Sequence, residues 1–403
     1  MKVYILLLDG VGVGSQPDSS AFGDEGANTL EHVLKTTGVH LPNLAMFGLL
    51  RYSPGEPAGL AAGGKLQQFS AGKDTISGHW ELMGVVNSAT MPVYPGGFPE
   101  DIVRAFENRI GRNVIGNIPA SGTEILVTHG PKHMETGNPI LYTSADSVFQ
   151  LAAHEDVIPL DELYQMCRLA RDEILVEEHA VGRVIARPFT GKEGSFVRTA
   201  NRRDFSLRPP HPTVLDVLVK KGYNVMGIGK LDDIFGGTGF TEARHTRDNE
   251  EGLELLLESM KLRRHDLVFV NLVQFDSHWG HRRDPDGFAL GLKEVDEALP
   301  DILDALGRDD ILIITADHGC DPTFHGTDHT REFVPCLFYG RYFQPAADFG
   351  AAPMVALADT LAEMYGIDSW HGSQSLVPMI IDRHQLKEFE QSITSIIEES
   401  VSE

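Results

Sequence analysis

Three apolar runs, each ending in an aspartate, constrain this chain more than any other feature. VYILLL at 3–8 runs into Asp9, LVFVNLVQF runs into Asp276, and ILIITA runs into Asp317. Continuous rather than alternating hydrophobicity indicates strands covered on both faces, the pattern of a parallel sheet sandwiched between helices. In a doubly wound sheet the functional groups gather just beyond the carboxyl ends of the strands, so the pattern delivers three aspartates to one edge. Further strands are expected at 224–228 and 334–339, with amphipathic helices near 214–221, 248–260 and 290–306.

The alternation breaks between MPVYPGGFPE and RPPHP, two Pro- and Gly-rich junctions. Residues 92–212 are therefore expected to form an inserted α+β cap, with 1–91 and 213–403 as the catalytic core. Within the cap the pattern predicts helices at 100–110, 123–128 and 160–179 and strands at 140–143, 181–187 and 195–199. A terminal helix is expected from 383 onward. The cap also reverses the charge of the chain. The whole carries a net charge of -24, which argues against nucleic acid or an anionic membrane as a partner. Residues 181–208 nevertheless hold Arg183, Arg187, Lys192, Arg198, Arg202, Arg203 and Arg208 against only Glu193 and Asp204. A basic face on an acidic protein suits a phosphate-bearing small molecule, because guanidinium forks bind phosphate in bidentate fashion. The alternative is a solvated pair of surface strands. Three cysteines without a CxxC pair give neither a disulfide framework nor a cysteine zinc site, and no apolar run reaches spanning length. A cytoplasmic location is expected, with no obligate protein partner evident.

Chemistry concentrates in three segments. GKDTISGHWE at 72–81 presents one hydroxyl, Thr75, at an expected helix start, where free N–H groups and the helix dipole favour negative charge. FDSHWGHR contributes Asp276 and His281, and ADHGCDPTFHGTDH contributes Asp317, His318 and His329. Together with Asp9 these would place three carboxylates close together, an arrangement that requires cations. Two divalent metals would supply them and would activate Thr75 as a nucleophile for phosphoryl transfer. The mixed Asp and His donor set suits manganese or zinc better than calcium. Asp321, His325 and Asp328 lie in the same loop, as ligands or as supporting groups. Gly59, Gly64 and Lys65 match GxxxxGK, but Leu66 replaces the metal-binding hydroxyl residue and no strand is expected before the loop, so a P-loop is rejected.

These segments, with LLDGVGVG, NIPASGTEI, PILYTSADSVFQ, GRVIARPF, FVRTANRRD and GIGKLDDIF, resemble the phosphopentomutases of the alkaline phosphatase superfamily over nearly the whole chain. The resemblance implies an alkaline-phosphatase-like α/β core with helices on both faces and an inserted cap. It implies one metal held by Asp9, Thr75, Asp317 and His318 and another by Asp276, His281 and His329, with manganese the usual ion. Ser144, Asp146, Arg183, Arg198 and Lys230 match positions that contact the sugar phosphate. The implied reaction interconverts α-D-ribose 1-phosphate and D-ribose 5-phosphate, and their 2-deoxy forms. It proceeds through a phosphothreonine at Thr75 and a ribose 1,5-bisphosphate that also serves as activator. The competing expectations are a metal-dependent phosphohydrolase or phosphodiesterase on the same core, and a catalytically silent sugar-phosphate-binding protein.

Overall fold

The computed structural model describes residues 1–144, 147–367, 375–382 and 384–402. The chain divides into two compact units, Met1–Ala89 with Pro209–Glu403, and Thr90–Arg208.

The first unit is α/β. Its eight strands are β1 (Val3–Leu8), β2 (Ala62–Gln67), β9 (Val225–Ile228), β10 (Glu242–Arg244), β11 (Leu267–Leu272), β12 (Ile311–Thr315), β13 (Val334–Tyr339) and β14 (Asp348–Pro353); β3 to β8 belong to the second unit. They lie in the order β10, β9, β11, β1, β12, β13, β2, β14 with helices on both faces. The five strands from β10 to β12 are parallel. Every residue of β1 is at most 1% exposed, which is why its run carries no polar alternation. Leu8 pairs with Leu272 and Leu7 with Thr315, so the chain leaves β1, β11 and β12 at a common edge. β13 runs antiparallel to β12, and β2 antiparallel to β13. Two reversals restore the original direction, so β2 also ends at that edge and feeds the loop that leads to the helix Thr75–Leu82.

Two sequence expectations need correction here. The apolar run after residue 267 is strand only to Leu272; the chain then turns into a wide helical turn, Phe275–Gly280, and Asp276 sits in that turn rather than at the strand end. Gly64 and Lys65 lie inside β2, where a loop was expected. A Cβ on Gly63 would stand 2.5 Å from Leu337 Cδ2, and one on Gly64 would stand 2.5 Å from the Phe349 ring. Close approach between neighbouring strands, rather than a turn, demands these glycines.

The second unit is built on β3 (Ile115–Pro119), β4 (Ile140–Thr143), β5 (Val148–His154), β6 (Arg183–Thr190), β7 (Val197–Arg198) and β8 (Arg203–Ser206). They run in the order β3 to β7, with β8 also paired to β6. Alternate residues face opposite layers: Leu141, Phe149, Leu151 and Val184 join the helices Glu100–Ile110 and Leu160–Leu169, while Ile140, Tyr142, Ala152 and Phe189 pack with Ile125 and Leu126 of the helix Glu124–Thr136. The single helix expected over 160–179 stops at Leu169 and widens into the turn Ala170–Ile174. There the buried Arg171 guanidinium hydrogen-bonds the carbonyls of Leu175 and Val181.

Candidate active site

Asp9 follows β1 directly, and the sharp turn at Gly10 (φ +80°) returns the chain so that Gly10 N–H donates to Asp317 Oδ1 at 3.1 Å. Asp317 and His318 follow β12. His318 Nε2 stands 3.2 Å from Asp317 Oδ2 and 3.6 Å from Asp9 Oδ1. A second group forms beside the first, with His281 Nε2 3.3 Å and His329 Nε2 3.1 Å from Asp276 Oδ1. In each triad the donor atoms lie within 4.8 Å of one another. The triads adjoin through their imidazoles, since the His318 and His329 ring centroids are 4.0 Å apart.

The orientation of the histidines discloses what this cluster is built for. His281 Nδ1 donates to the Thr327 carbonyl at 2.6 Å and His318 Nδ1 to the Gly319 carbonyl at 3.1 Å. A carbonyl only accepts, so the proton is fixed on Nδ1 and the bare Nε2 of the neutral ring points inward. Burial pushes His318 down to about 4, which keeps it neutral. Its Nε2 lone pair therefore faces carboxylate oxygens. Among the described residues, Asp9 Oδ1, Asp276 Oδ1, Asp317 Oδ2 and His329 Nε2 are buried without a well-formed hydrogen bond. Burial, with Asp317 and Asp276 beside it, raises Asp9 well above the ordinary carboxylate range. Asp276 is depressed well below it: burial works against ionisation there, but the adjoining His329 outweighs it. Orphaned acceptors converging on two points are a poor hydrogen-bond network and a good pair of cation cradles. Three carboxylate and three imidazole donors fit two divalent transition metals.

Thr75 opens the helix Thr75–Leu82, and its Oγ1 lies 3.2 Å from His318 Nε2. Asp74 caps that helix by accepting from Ser77 N–H. His79, one turn on, is fully buried, and its Nδ1 stands 2.9 Å from the Thr75 carbonyl and 3.0 Å from Asp317 Oδ2. Reading the sequence missed this residue, although a four-residue spacing puts it on the same helix face as Thr75. Neither Asp321, His325 nor Asp328 belongs to a triad. Asp321 Oδ2 meets His32 Nδ1 at 2.6 Å, Asp328 lies 3.6 Å from Lys73 Nζ, and His325 is exposed against the Phe324 ring. Cys320 is a buried thiol raised well above its usual range by burial.

Of the residues matched to sugar-phosphate contacts, Lys230 is exposed in the first unit and close enough to Asp9 to lower its proton affinity. Ser144 is half-buried after β4, Arg183 is 3.9 Å from Asp204, Arg198 is exposed on β7, and Asp146 lies outside the described residues. Burial raises the Tyr142 phenol, whose hydroxyl has no hydrogen-bond partner among the described residues, and Arg187 and Arg198 act to lower it without outweighing burial.

Residues 1–368 match the metalloenzyme superfamily, so the fold and the two triads belong to a chain of that class. Curated phosphopentomutases are similar over almost the full length. That of Caldanaerobacter subterraneus is 52% identical over 93% of this chain and 97% of its own, and that of Acetivibrio thermocellus is 49% identical over 94% and 100%. The chain belongs to the phosphopentomutase family of that superfamily. Among solved structures, a Leishmania mexicana phosphoglycerate mutase is 14% identical with a TM-score of 0.46, covering 94% of this chain and 98% of that one.

Proposed function

We propose that this chain is a cytoplasmic mutase that interconverts α-D-ribose 1-phosphate and D-ribose 5-phosphate, and the 2-deoxy forms, with Thr75 as its phosphorylated nucleophile. The observation that carries the reading is Thr75 Oγ1 at a helix start, 3.2 Å from His318 Nε2 and beside two triads of convergent donors. Family membership supports the substrate class.

Asp9, Asp317 and His318, with Thr75, would hold one divalent ion, and Asp276, His281 and His329 the other; manganese is the ion the family resemblance implies. Bound there, the ions would neutralise phosphoryl oxygens and lower the pKa of an attacking hydroxyl. The protein's own groups do the rest. The helix start at Thr75 turns free N–H groups toward the phosphoryl oxygens. His281 and His318 keep Nε2 available because their Nδ1 protons are committed to carbonyls. From the phosphothreonine, the bond between Thr75 Oγ1 and phosphorus breaks as a sugar oxygen bonds to phosphorus, and the proton that oxygen gives up ends on Thr75 Oγ1. The resulting 1,5-bisphosphate returns its other phosphoryl group to Thr75. A trace of that bisphosphate would load an unphosphorylated enzyme. Ser144, Asp146, Arg183, Arg198 and Lys230 are proposed to bind sugar hydroxyls and the phosphate that is not being transferred.

The test is a coupled assay of ribose 1-phosphate conversion with Mn²⁺ and a trace of ribose 1,5-bisphosphate, run alongside measurement of free phosphate, with Thr75→Ala as control. Conversion without phosphate release, lost in the variant, is expected. Phosphate as the main product would make the protein a hydrolase, and full activity in Thr75→Ala would remove the nucleophile.

A further inference from the structure

The loop that carries Thr75 is gripped on both its donors and its acceptors by groups that touch neither the hydroxyl nor the triads. On one side Glu81, fully buried in the helix Thr75–Leu82, accepts Phe69 N–H and Ser70 N–H, each at 2.6 Å. On the other side stands Arg331, only 2% exposed and two residues beyond His329. Its Nη1 donates to Gln68 Oε1 (3.0 Å), the Ser70 carbonyl (2.9 Å) and the Gly72 carbonyl (3.1 Å). Its Nη2 donates to the Gln68 carbonyl (2.8 Å) and Asp18 Oδ2 (2.9 Å), and its Nε to Asp18 Oδ2 (3.1 Å). The Phe22 ring covers the guanidinium face at 4.8 Å. A second tie runs in parallel: Asp24 Oδ2 accepts Arg331 N–H at 2.8 Å and Lys73 Nζ at 2.9 Å, and Lys73 reaches Asp328 at 3.6 Å.

All the guanidinium nitrogens are thus bonded, and three of the acceptors are backbone carbonyls within the seven residues before Thr75. A fork of this shape fixes those carbonyls in direction as well as distance, which a lysine, with one point charge and three rotatable donors, does not. We propose that Arg331 is a positioning residue for the nucleophile. It locks loop 68–72 to the segment 328–331 that carries His329, and so sets Thr75 Oγ1 against the triads. The proposal rests on the reading of Thr75 as the nucleophile. A displacement of the loop by about 1 Å would leave binding intact and cost about 100-fold in turnover.

The test uses the full-length Mn²⁺-loaded enzyme as wild type, Arg331→Lys, Arg331→Ala, Asp18→Asn and Thr75→Ala. Turnover and KM for ribose 1-phosphate, metal content per chain and hydrogen exchange over residues 68–76 are measured, with and without millimolar guanidinium. Expected for Arg331→Lys is a kcat loss of about 100-fold with KM within about threefold, full metal content and faster exchange confined to the loop. Guanidinium should restore at least about tenfold of the loss in Arg331→Ala, should do nothing for Thr75→Ala, and Asp18→Asn should lose roughly three- to tenfold in kcat alone. Unchanged kcat in Arg331→Lys, or a loss that follows metal content and is not rescued, would overturn the proposal. If Arg331→Ala does not fold, Arg331→Lys and Asp18→Asn decide it on the same readouts. Full mutase activity in Thr75→Ala would instead sink the nucleophile reading, whatever Arg331 does.

Discussion

Gly78 offers the sharpest test of whether the helix bearing Thr75 must sit where it does. A Cβ built on Gly78 would stand 2.3 Å from the Asp317 carbonyl oxygen, 2.9 Å from its carbonyl carbon and 3.0 Å from its Cβ. All three are backbone or near-backbone atoms beside β12, so they cannot swing aside. Gly78→Ala must therefore push the helix Thr75–Leu82 away from Asp317 by about 1 Å to recover an ordinary contact. Thr75 lies one turn before Gly78 and moves with it, and its 3.2 Å approach to His318 Nε2 opens by a similar amount. A misplacement of that size is expected to lower kcat about 100-fold, or about 2.7 kcal/mol in the barrier. Overpacking itself should destabilise the fold by about 1–3 kcal/mol, partly offset because alanine is the better helix former. The assay is steady-state conversion of ribose 1-phosphate with Mn²⁺ present, with metal content and thermal unfolding of the same samples. Gly96→Ala, where a Cβ meets nothing within 4 Å among the described residues and φ is not positive, is the matched control and should behave as wild type. A Gly78→Ala enzyme that folds, holds its metal and turns over within twofold of wild type would refute the argument.

Three further outcomes follow from other parts of the molecule. Chelation should lower the unfolding temperature and Mn²⁺ should restore it, because Asp9, Asp276 and Asp317 lose the charge that offsets their repulsion; at 100-fold excess over Kd the ion contributes about 2.7 kcal/mol, and an unchanged melting curve in EDTA would count against two cation cradles. Arg183→Ala should reduce mutase turnover more than hydrolysis of a small artificial phosphate ester, since only the proposed 1,5-bisphosphate carries a second phosphate besides the one being transferred; equal losses would remove that role. His133 is fully buried, donating Nδ1–H to the Asn138 carbonyl at 2.7 Å and accepting His154 N–H on Nε2 at 2.9 Å, and burial lowers its pKa below 6.5. The unfolded chain takes up that proton first, so the stabilisation is complete above pH 6.5 and is lost as pH falls from there through the folded-state value. Urea unfolding of wild type against His133→Gln between pH 7.5 and 5 should show the steeper loss of stability in wild type, because the variant keeps the contribution of His318 and lacks only that of His133.

How much of this was legible depended on where each element draws its stability. β1, β12 and β13 were legible because both faces of each are covered, leaving an uninterrupted apolar run. β11 was overread for the same reason: Val273 and Phe275 continue the run, yet Phe275 packs at 5.2 Å against Phe288 of the helix Pro285–Ala305 rather than between sheet layers. β2 was missed because Gly63 and Gly64 carry the signature of a turn while serving close strand contact. In the second unit, β5 is buried throughout and carries the same run as a core strand, but short mixed strands offer no crossover periodicity to order them.

The site divides along a similar line. Asp9, Asp317 and His318 lie just beyond the strands that deliver them, and Asp276, His281 and His329 follow in the turn after β11 and the loop after β12, so short local segments announce them. The groups that hold Thr75 in place do not: Arg331 is 259 to 263 residues from the carbonyls it binds, and arginine is usually a surface residue. His79 was missed although a local signal exists, because helix geometry ties it to Thr75 from four residues away. It differs from Arg331 in a way that experiment can separate. Its Nδ1 faces both the Thr75 carbonyl and Asp317 Oδ2, so His79 orients a triad carboxylate as well as the helix that carries Thr75. His79→Phe should therefore weaken metal binding and lower kcat together, since it also leaves Asp317 Oδ2 facing an apolar ring, whereas His79→Asn, which can return a donor near the position of Nδ1, should recover part of both. Metal titration by calorimetry beside turnover reads the two effects. A His79→Phe protein that keeps wild-type metal affinity and loses only turnover would confine His79 to the helix and leave Asp317 oriented by Gly10 N–H alone.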